Sequence, residues 1–193
     1  DIYFITKRNE KAVRYISYVA LPVAILVHSV TAWIFGLEIA KEGWYSAILA
    51  PIFVASACDS GLSLLILSLM GLAKAKVLEV GSDLMSSLSK LLATFIAVDA
   101  YFIFCELITM AYPGTEGANE VLATMFTGAT APFFWFEIVF GLLVPFLVLF
   151  SAKRRQSKGL VILSSILVIC GVFCKRVWLL FTSFVTPHIY GAP

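Results

Sequence analysis

The sequence predicts an all-α protein, a polytopic bundle of transmembrane helices. Hydrophobic residues make up 61% of the 193 residues and charged residues only 13%, which leaves too little polar surface for a globule in water. The apolar residues form continuous runs rather than the short alternating segments typical of a membrane β-barrel. We therefore expect lipid, not water, to surround most of this chain.

Five apolar stretches are long enough to cross a bilayer, for which roughly 20 helical residues are needed. They cover residues 12–39, 45–72, 87–112, 132–152 and 160–186. We interpret residues 1–193 as a single transmembrane domain. The odd number of spans and a first residue other than methionine also predict that the chain is part of a longer protein with further spans.

The connections between the spans alternate in charge. Basic residues precede the first span and follow the second and the fourth: Lys7, Arg8, Lys11, Arg14, Lys74, Lys76, Lys153, Arg154, Arg155 and Lys158. Because cytoplasmic loops carry an excess of lysine and arginine, we expect a cytoplasmic amino end and an outer carboxyl end in the inner membrane. In the outer connection after the third span, residues 115–128 predict a short capping helix, with a plain surface loop as the alternative.

The sequence offers no evident ligands for a metal centre, a haem or an iron–sulfur cluster. The cysteines are Cys58, Cys105, Cys170 and Cys174, and their spacing fits neither a disulfide framework nor a cluster-binding run. We interpret Cys170 and Cys174, one helical turn apart, as packing residues rather than a metal pair. The two imidazoles, His28 and His188, are badly placed to ligate one haem from opposite sides.

Seven ionisable residues fall inside the predicted spans: His28, Asp59, Asp99, Glu106, Glu137, Lys175 and Arg176. A charged residue near the bilayer centre costs about 2.5–3.5 kcal/mol, so it normally faces a partner or a water-filled cavity. Counted from the span boundaries, Asp99 falls in the inner half, Asp59 near the middle and the other five in the outer half.

Two interpretations of these residues remain open. Lys175 and Arg176 can neutralise Glu106 and Glu137 in structural ion pairs, yet four acids then face only two bases. The alternative is a proton relay through the series Asp99, Asp59, His28 and Glu106, which are our candidate catalytic residues because carboxyl and imidazole groups exchange protons. Asp99 and Glu106 share one helix face, roughly 10 Å apart along the axis.

Several segments carry a family resemblance: residues 28–38 (HSVTAWIFGLE), 43–46 (GWYS), 50–62, 134–135, 141–145 and 175–176. They resemble the polysulfide-reductase-type, or NrfD-like, membrane subunits. The resemblance is closest to the branch in sulfate-reducer complexes linked to sulfite reductase or a high-molecular-weight cytochrome. Tyr45 departs from the family pattern, in which a histidine often follows Gly-Trp. The resemblance implies eight to ten spans arranged as two four-helix bundles.

The resemblance also implies a function. Such a subunit binds menaquinol without a haem or cluster of its own and exchanges electrons with an extracytoplasmic iron–sulfur subunit, with a cytochrome as a possible further partner. Nucleic acid is not an expected partner. In this sequence His28 would contact one quinone oxygen, Asp59 would lie behind it, and Glu106 would receive the second proton.

The remaining candidate quinone-binding residues are Trp33, Trp44, Trp135, Glu137, Lys175 and Arg176. The tryptophans would supply rigid walls, although a role as interfacial anchor is favoured for Trp44. One of the two adjacent bases would pair with Glu137, and the other would face an anionic quinone oxygen. Glu38, Lys41, Glu42 and Trp44 form a candidate docking surface for the iron–sulfur partner.

Two other classes of function stay open. A proton-coupled transporter or channel also places acids and a histidine at membrane depth, although we find no internal repeat. A passive membrane anchor explains the hydrophobicity but does not need Asp59, Asp99 and Glu106 inside the spans.

Overall fold

The computed structural model describes residues 10–41 and 43–186. Within them the chain is helical and contains no strand, which confirms the predicted class. The helices are α1 (Glu10–Gly36), α2 (Leu49–Lys74), α3 (Ser82–Ala111), α4 (Glu116–Phe126), α5 (Ala131–Phe136), a π-helix (Glu137–Leu143), α6 (Val144–Phe150), α7 (Ala152–Arg155) and α8 (Lys158–Val185).

Five segments are long and apolar enough to cross a membrane, as predicted. They are Lys11–Gly36, Leu49–Lys74, Ser82–Ala111, Ala131–Phe150 and Lys158–Val185. We call Ala131–Phe150, which comprises α5, the π-helix and α6, the fourth span. The basic connections after the second and the fourth span lie together at one end of the bundle, which we call the basic end. The opposite end is the distal end.

Three predicted boundaries were wrong. The first span ends at Gly36 rather than at residue 39. The second span begins at Leu49 rather than at residue 45, because Trp44 and Tyr45 both donate backbone hydrogen bonds to the Lys41 carbonyl in a turn. The third span begins at Ser82 rather than at residue 87. Its first turn is helical but contains polar residues, so a prediction based on continuous apolar residues does not include it.

The core is a bundle of α2, α3, the fourth span and α8, which pack against one another. It holds two buried apolar clusters. One, towards the distal end, includes Phe53, Phe134 and Trp178, and the other, towards the basic end, includes Ile66, Leu142 and Val168. Along α2, the fourth span and α8, buried charged residues lie between these two clusters.

The fourth span and α8 cross at two glycines. A Cβ atom on Gly141 would lie 2.7 Å from the Cα atom of Gly171, so only glycine permits this approach. The two helices are antiparallel, and therefore Glu137, one turn before Gly141, and Lys175, one turn after Gly171, meet on the same side of the crossing. The π-helix begins at Glu137, and such wide turns occur often at functional sites.

The remaining helices lie outside this core. α1 packs on α2 and exposes most of its other apolar side chains. α4 confirms the short helix predicted within residues 115–128; Thr115 Oγ1 caps it by accepting the Ala118 N–H at 3.3 Å. Because α4 also packs against α3, α5 and α8, it closes the distal end of the bundle.

Candidate functional site

Four charged side chains from four different segments meet in the core. We call Asp59 of α2, Asp99 of α3, Glu137 of the fourth span and Lys175 of α8 the buried ionic cluster; each is at most 1% exposed. The Lys175 ammonium donates to Asp99 Oδ2 and lies 3.0 Å from Glu137 Oε1. One cation therefore joins α3, the fourth span and α8.

The cluster contains more acid than base. Three carboxyl groups surround one ammonium group, and neither carboxylate oxygen of Asp59 has a hydrogen-bond partner. The Asp59 carboxyl lies beside that of Asp99. Ionised carboxylates only accept hydrogen bonds, so the described side chains supply too few donors for this excess of acid.

Arg176 leaves the cluster and faces α2. Its guanidinium carbon lies 3.9 Å from the centre of the Phe53 ring, and Nη2 lies 3.5 Å from Ser56 Oγ. The described ion pairs involve Lys175 and not Arg176. The prediction that one of these adjacent bases pairs with Glu137 is confirmed for Lys175. Arg176 is held instead by a cation–π interaction with the Phe53 ring.

Glu106 borders a small cavity nearer the distal end, which is lined mostly by apolar side chains. Ser46 Oγ donates to Glu106 Oε2 at 2.5 Å, and the cavity, of about 20 Å³, is also lined by Trp178, Thr182 and Ser183. This is room for about one water molecule. Trp178 Nε1 in turn donates to Glu137 Oε2 at 2.5 Å, so one side chain connects the cavity wall with the buried ionic cluster.

A larger groove separates α1 from α2 and α3. Its volume is about 480 Å³, and Ser29, Trp33, Pro51, Cys58 and Phe102 are among the residues that line it. The lining is mostly apolar with few polar atoms, which is the usual character of a site for a small organic molecule, and its volume lies within the usual range of roughly 300–1,000 Å³.

Comparison with known proteins identifies the family. Residues 2–188 match the model of the family described as polysulphide reductase, NrfD. The chain belongs to this family. Together with the five apolar helices, this makes it a multi-pass integral membrane protein.

Three relatives of this NrfD-family chain illustrate the similarity. It is 30% identical over 175 residues to a Halobacterium salinarum protein provisionally named as a membrane subunit of dimethyl sulfoxide reductase. It is 29% identical over 182 residues to the Hdr-like menaquinol oxidoreductase integral membrane subunit of Archaeoglobus fulgidus, and 29% over 192 residues to a selenate reductase subunit of Mesobacillus selenatarsenatis. The matches cover 90%, 94% and 97% of the chain but only 40%, 46% and 43% of the relatives.

His28 lies apart from the other candidate catalytic residues of the NrfD-family chain. Its half-buried ring is on α1, and Nδ1 lies 3.0 Å from the Ala24 carbonyl oxygen. A carbonyl only accepts hydrogen bonds, so Nδ1 of a neutral ring carries the hydrogen and Nε2 is free to accept. Ser29 and Trp33, on the same helix, line the 480 Å³ groove.

The structure brings the predicted relay together only in part. Asp59 and Asp99 are adjacent, whereas Glu106 lies two turns further along α3 with Ser46. The predicted depths of Asp99 and Lys175, in opposite halves of the membrane, were wrong relative to each other because the two side chains are in contact. The interpretation of Glu106 as an ion-pair partner of Lys175 or Arg176 was also wrong. Its carboxylate accepts a hydrogen bond from Ser46 instead.

The three candidate tryptophans have different environments. Trp44 is 6% exposed, donates from Nε1 to the Leu179 carbonyl at 2.9 Å and packs edge-on against Phe35 and Phe184. It is therefore neither an interfacial anchor nor part of an outer docking surface. Trp33 and Trp135 are about half exposed, and Trp135 Nε1 donates to the Phe126 carbonyl at 3.1 Å.

The predicted docking surface does not form as a whole. Lys41 Nζ donates to the Ser183 carbonyl at 2.7 Å and so faces inwards, while Glu38 is exposed. Glu42, the other member of that surface, and His188 lie outside the described residues. Within residues 10–41 and 43–186, no three histidine, cysteine, aspartate or glutamate side chains are grouped to hold a metal ion, and the four cysteines are free thiols.

Two site residues were not predicted. Trp178 lies three residues after Lys175, hence on the same helix face, and that spacing is the signal that could have identified it. Ser46, which binds Glu106 across 60 residues of sequence, carries no comparable signal, because an isolated serine in a turn is ordinary.

Proposed function

We propose that this NrfD-family chain is the quinone-reactive part of a membrane subunit in a respiratory redox complex. It would exchange electrons between menaquinol and an iron–sulfur partner subunit, with coupled proton transfer through the buried ionic cluster. The observation that carries this proposal is the excess of carboxyl groups around Lys175, with Asp59 left unpartnered. A relative named as a menaquinol oxidoreductase membrane subunit supports it.

A passive anchor does not account for the cluster. Buried ion pairs are often no more stabilising than apolar side chains of similar volume, and an unpartnered carboxyl in a membrane core lowers stability further. Because these buried acids lower the stability of the protein, we infer that they are present for proton transfer. Oxidation of a quinol releases two protons with its two electrons, and this chemistry needs acceptor groups close to the ring and a route to water.

We place the quinone headgroup in the groove between α1, α2 and α3. On α1 the groove is lined by Ser29, the residue after His28, and by Trp33, which would form a flat wall. Nε2 of His28 would accept a hydrogen bond from a quinol hydroxyl. Asp59 lies next in sequence to Cys58, which lines the same groove, and its carboxyl points into the core towards Asp99. The helix α2 thus carries the groove on one face and the buried ionic cluster on the other.

Further polar groups extend from the cluster in both directions. Towards the distal end, Trp178 holds Glu137 and borders the cavity at Glu106. Towards the basic end, the buried hydroxyls of Ser63, Ser89 and Ser165 lack a hydrogen-bond partner and are suitable positions for ordered water. We propose that protons move along this series, with Glu106 receiving the second proton of each quinol.

The charge of the connections supports one orientation. The basic end would be cytoplasmic and the distal end would face outwards, in the inner membrane. We therefore propose that the iron–sulfur partner docks at the distal end, near the exposed Glu38, and that a second four-helix bundle completes the longer protein.

Binding of a quinol analogue to the purified complex tests this function. We expect saturable binding to the native protein and at least tenfold weaker binding to His28→Ala, since one good hydrogen bond to a buried polar group contributes roughly this much. Tyr18→Ala, an exposed aromatic on the same helix, is the matched control and should bind normally. Absence of binding to the native complex would contradict the function, whereas equal binding to His28→Ala would contradict only the placement of the headgroup.

A further inference from the structure

A second cavity opens at the basic end, away from the buried ionic cluster. Its volume is about 500 Å³, and it lies where the end of α2 meets the beginnings of α3 and α8. Three of its lining residues are cationic, Lys74, Arg155 and Lys158, and none is acidic. Such a concentration of one sign of charge favours an anionic ligand.

The cations of this basic cavity are not neutralised by neighbouring carboxylates. The described ion pairs both belong to Lys175 in the core. Arg155 is only partly exposed, and its Nε atom is buried without a hydrogen-bond partner. A buried guanidinium nitrogen without an acceptor is unfavourable, so a ligand that supplies an acceptor oxygen would satisfy a group that the described protein leaves unmatched.

Neutral donors surround the same space. Ser82, Ser86 and Gln156 contribute hydroxyl and amide groups to the lining. The helices α3 and α8 begin at this cavity, after Gly81 and Ser157, and neither start has a side-chain cap. The free N–H groups of the two first turns add to the attraction for an anion. Phosphate oxygens, which accept several hydrogen bonds at once, match this donor set.

The other wall of the cavity is apolar. Met70, Met85 and Val161 line it together with Ile162, and these residues belong to spans that continue into the membrane. A free phosphate ion would leave this wall uncovered, whereas a phospholipid places acyl chains along it. A choline or ethanolamine headgroup would bring a second positive charge towards the three cations, which disfavours zwitterionic lipids.

We propose that this basic cavity is a binding site for the phosphate headgroup of an anionic phospholipid, of the phosphatidylglycerol or cardiolipin type. Basic pockets between transmembrane helices at this side of a membrane are suited to such headgroups. A bound lipid would join α2, α3 and α8 at the basic end, below the cluster that the same helices form in the core. This site does not depend on the proposed quinone chemistry.

The first test is ligand selectivity of the native full-length protein in detergent. Native mass spectrometry would count retained lipids after addition of phosphatidylglycerol or phosphatidylcholine, each with and without inorganic phosphate in excess. We expect phosphatidylglycerol to be retained, phosphatidylcholine to be lost, and phosphate not to displace the retained lipid. Equal retention of both lipids would overturn the proposal, and so would complete displacement by phosphate, which would identify a free-anion site.

The second test uses charge-matched variants. The double substitution Arg155→Gln with Lys158→Gln removes two lining cations, and Lys76→Gln with Lys153→Gln removes two exposed cations that do not line the cavity. We expect phosphatidylglycerol binding to weaken about thirtyfold in the first variant, the effect of two interfacial cations, and less than about threefold in the second. Equal weakening in both variants would show general surface attraction and overturn the site.

Discussion

Two groups of ionisable residues within the spans are held in different ways. In the buried ionic cluster, Lys175 joins side chains from α3 and the fourth span, and Asp59 of α2 completes the group. His28, on α1, has a hydrogen bond only to a carbonyl of its own helix. The cluster is therefore part of what holds the four-helix core together, whereas His28 lies outside that core and makes no described contact that joins two helices.

Removal of the shared cation should have the largest effect. Lys175→Met leaves Asp99 and Glu137 buried without a counter-charge, and we expect a loss of about 3–5 kcal/mol in the free energy of unfolding. Denaturant titration in detergent micelles would measure it. Lys90→Met, an exposed lysine on α3, is the control and should change stability little. Similar losses in the two variants would show that the cluster does not hold the core.

The helix crossing that aligns the cluster should be the next most sensitive feature. In Gly171→Ala the new Cβ atom would lie 2.5 Å from the Cα atom of Gly141, and overpacking of this kind costs about 1–3 kcal/mol. Gly61→Ala, within α2, would meet nothing within 4 Å and should be stabilising by about 0.5–1 kcal/mol. Thermal unfolding of both variants checks the opposite signs, and a stable Gly171→Ala would contradict the close crossing.

A loss of similar size is expected at the small distal cavity. Ser46→Ala removes the donor to the largely buried Glu106, and an unsatisfied acceptor of this kind costs about 1–3 kcal/mol. Thr109→Ala removes an exposed hydroxyl that bonds only to the Cys105 carbonyl, so it should stay within about 0.5 kcal/mol. If unfolding shows no difference between these variants, the Ser46 contact does not stabilise the fold.

The smallest change in stability is expected for His28→Ala. Its ring is half-buried and makes one hydrogen bond within α1, so unfolding should shift by no more than about 0.5 kcal/mol. This result, measured in the same titration as Lys175→Met, would separate loss of quinol-analogue binding from loss of folding. A large destabilisation would mean that α1 is as much a part of the core as the cluster.

The sequence was sufficient for the features that depend on composition and local pattern. Five spans, the short helix after residue 115 and the pairing of one of the two adjacent bases with Glu137 were all predicted and are confirmed. Apolar runs, loop charges and helix spacing report these properties directly.

Features that depend on where helices start and how closely they cross could not be predicted. Asp99 lies as far from the start of α3 at Ser82 as Lys175 lies from the start of α8 at Lys158, so the missed polar turn of α3 placed Asp99 at the wrong depth. The π-helix also changes the residues facing α8 after Glu137. Trp44 is buried because α8 supplies an acceptor at Leu179, a contact between distant parts of the chain.

Quinol oxidation by Asp59→Asn in the assembled complex is the measurement that tests the central claim most directly. Asparagine keeps the shape of Asp59 but cannot take up a proton, so we expect normal assembly and turnover lower by about 100-fold or more, the usual contribution of a positioned acid or base. Asp83→Asn, the same change at an exposed position of α3, should retain full turnover. Full turnover of assembled Asp59→Asn would contradict the account and leave the cluster a structural device of the bundle.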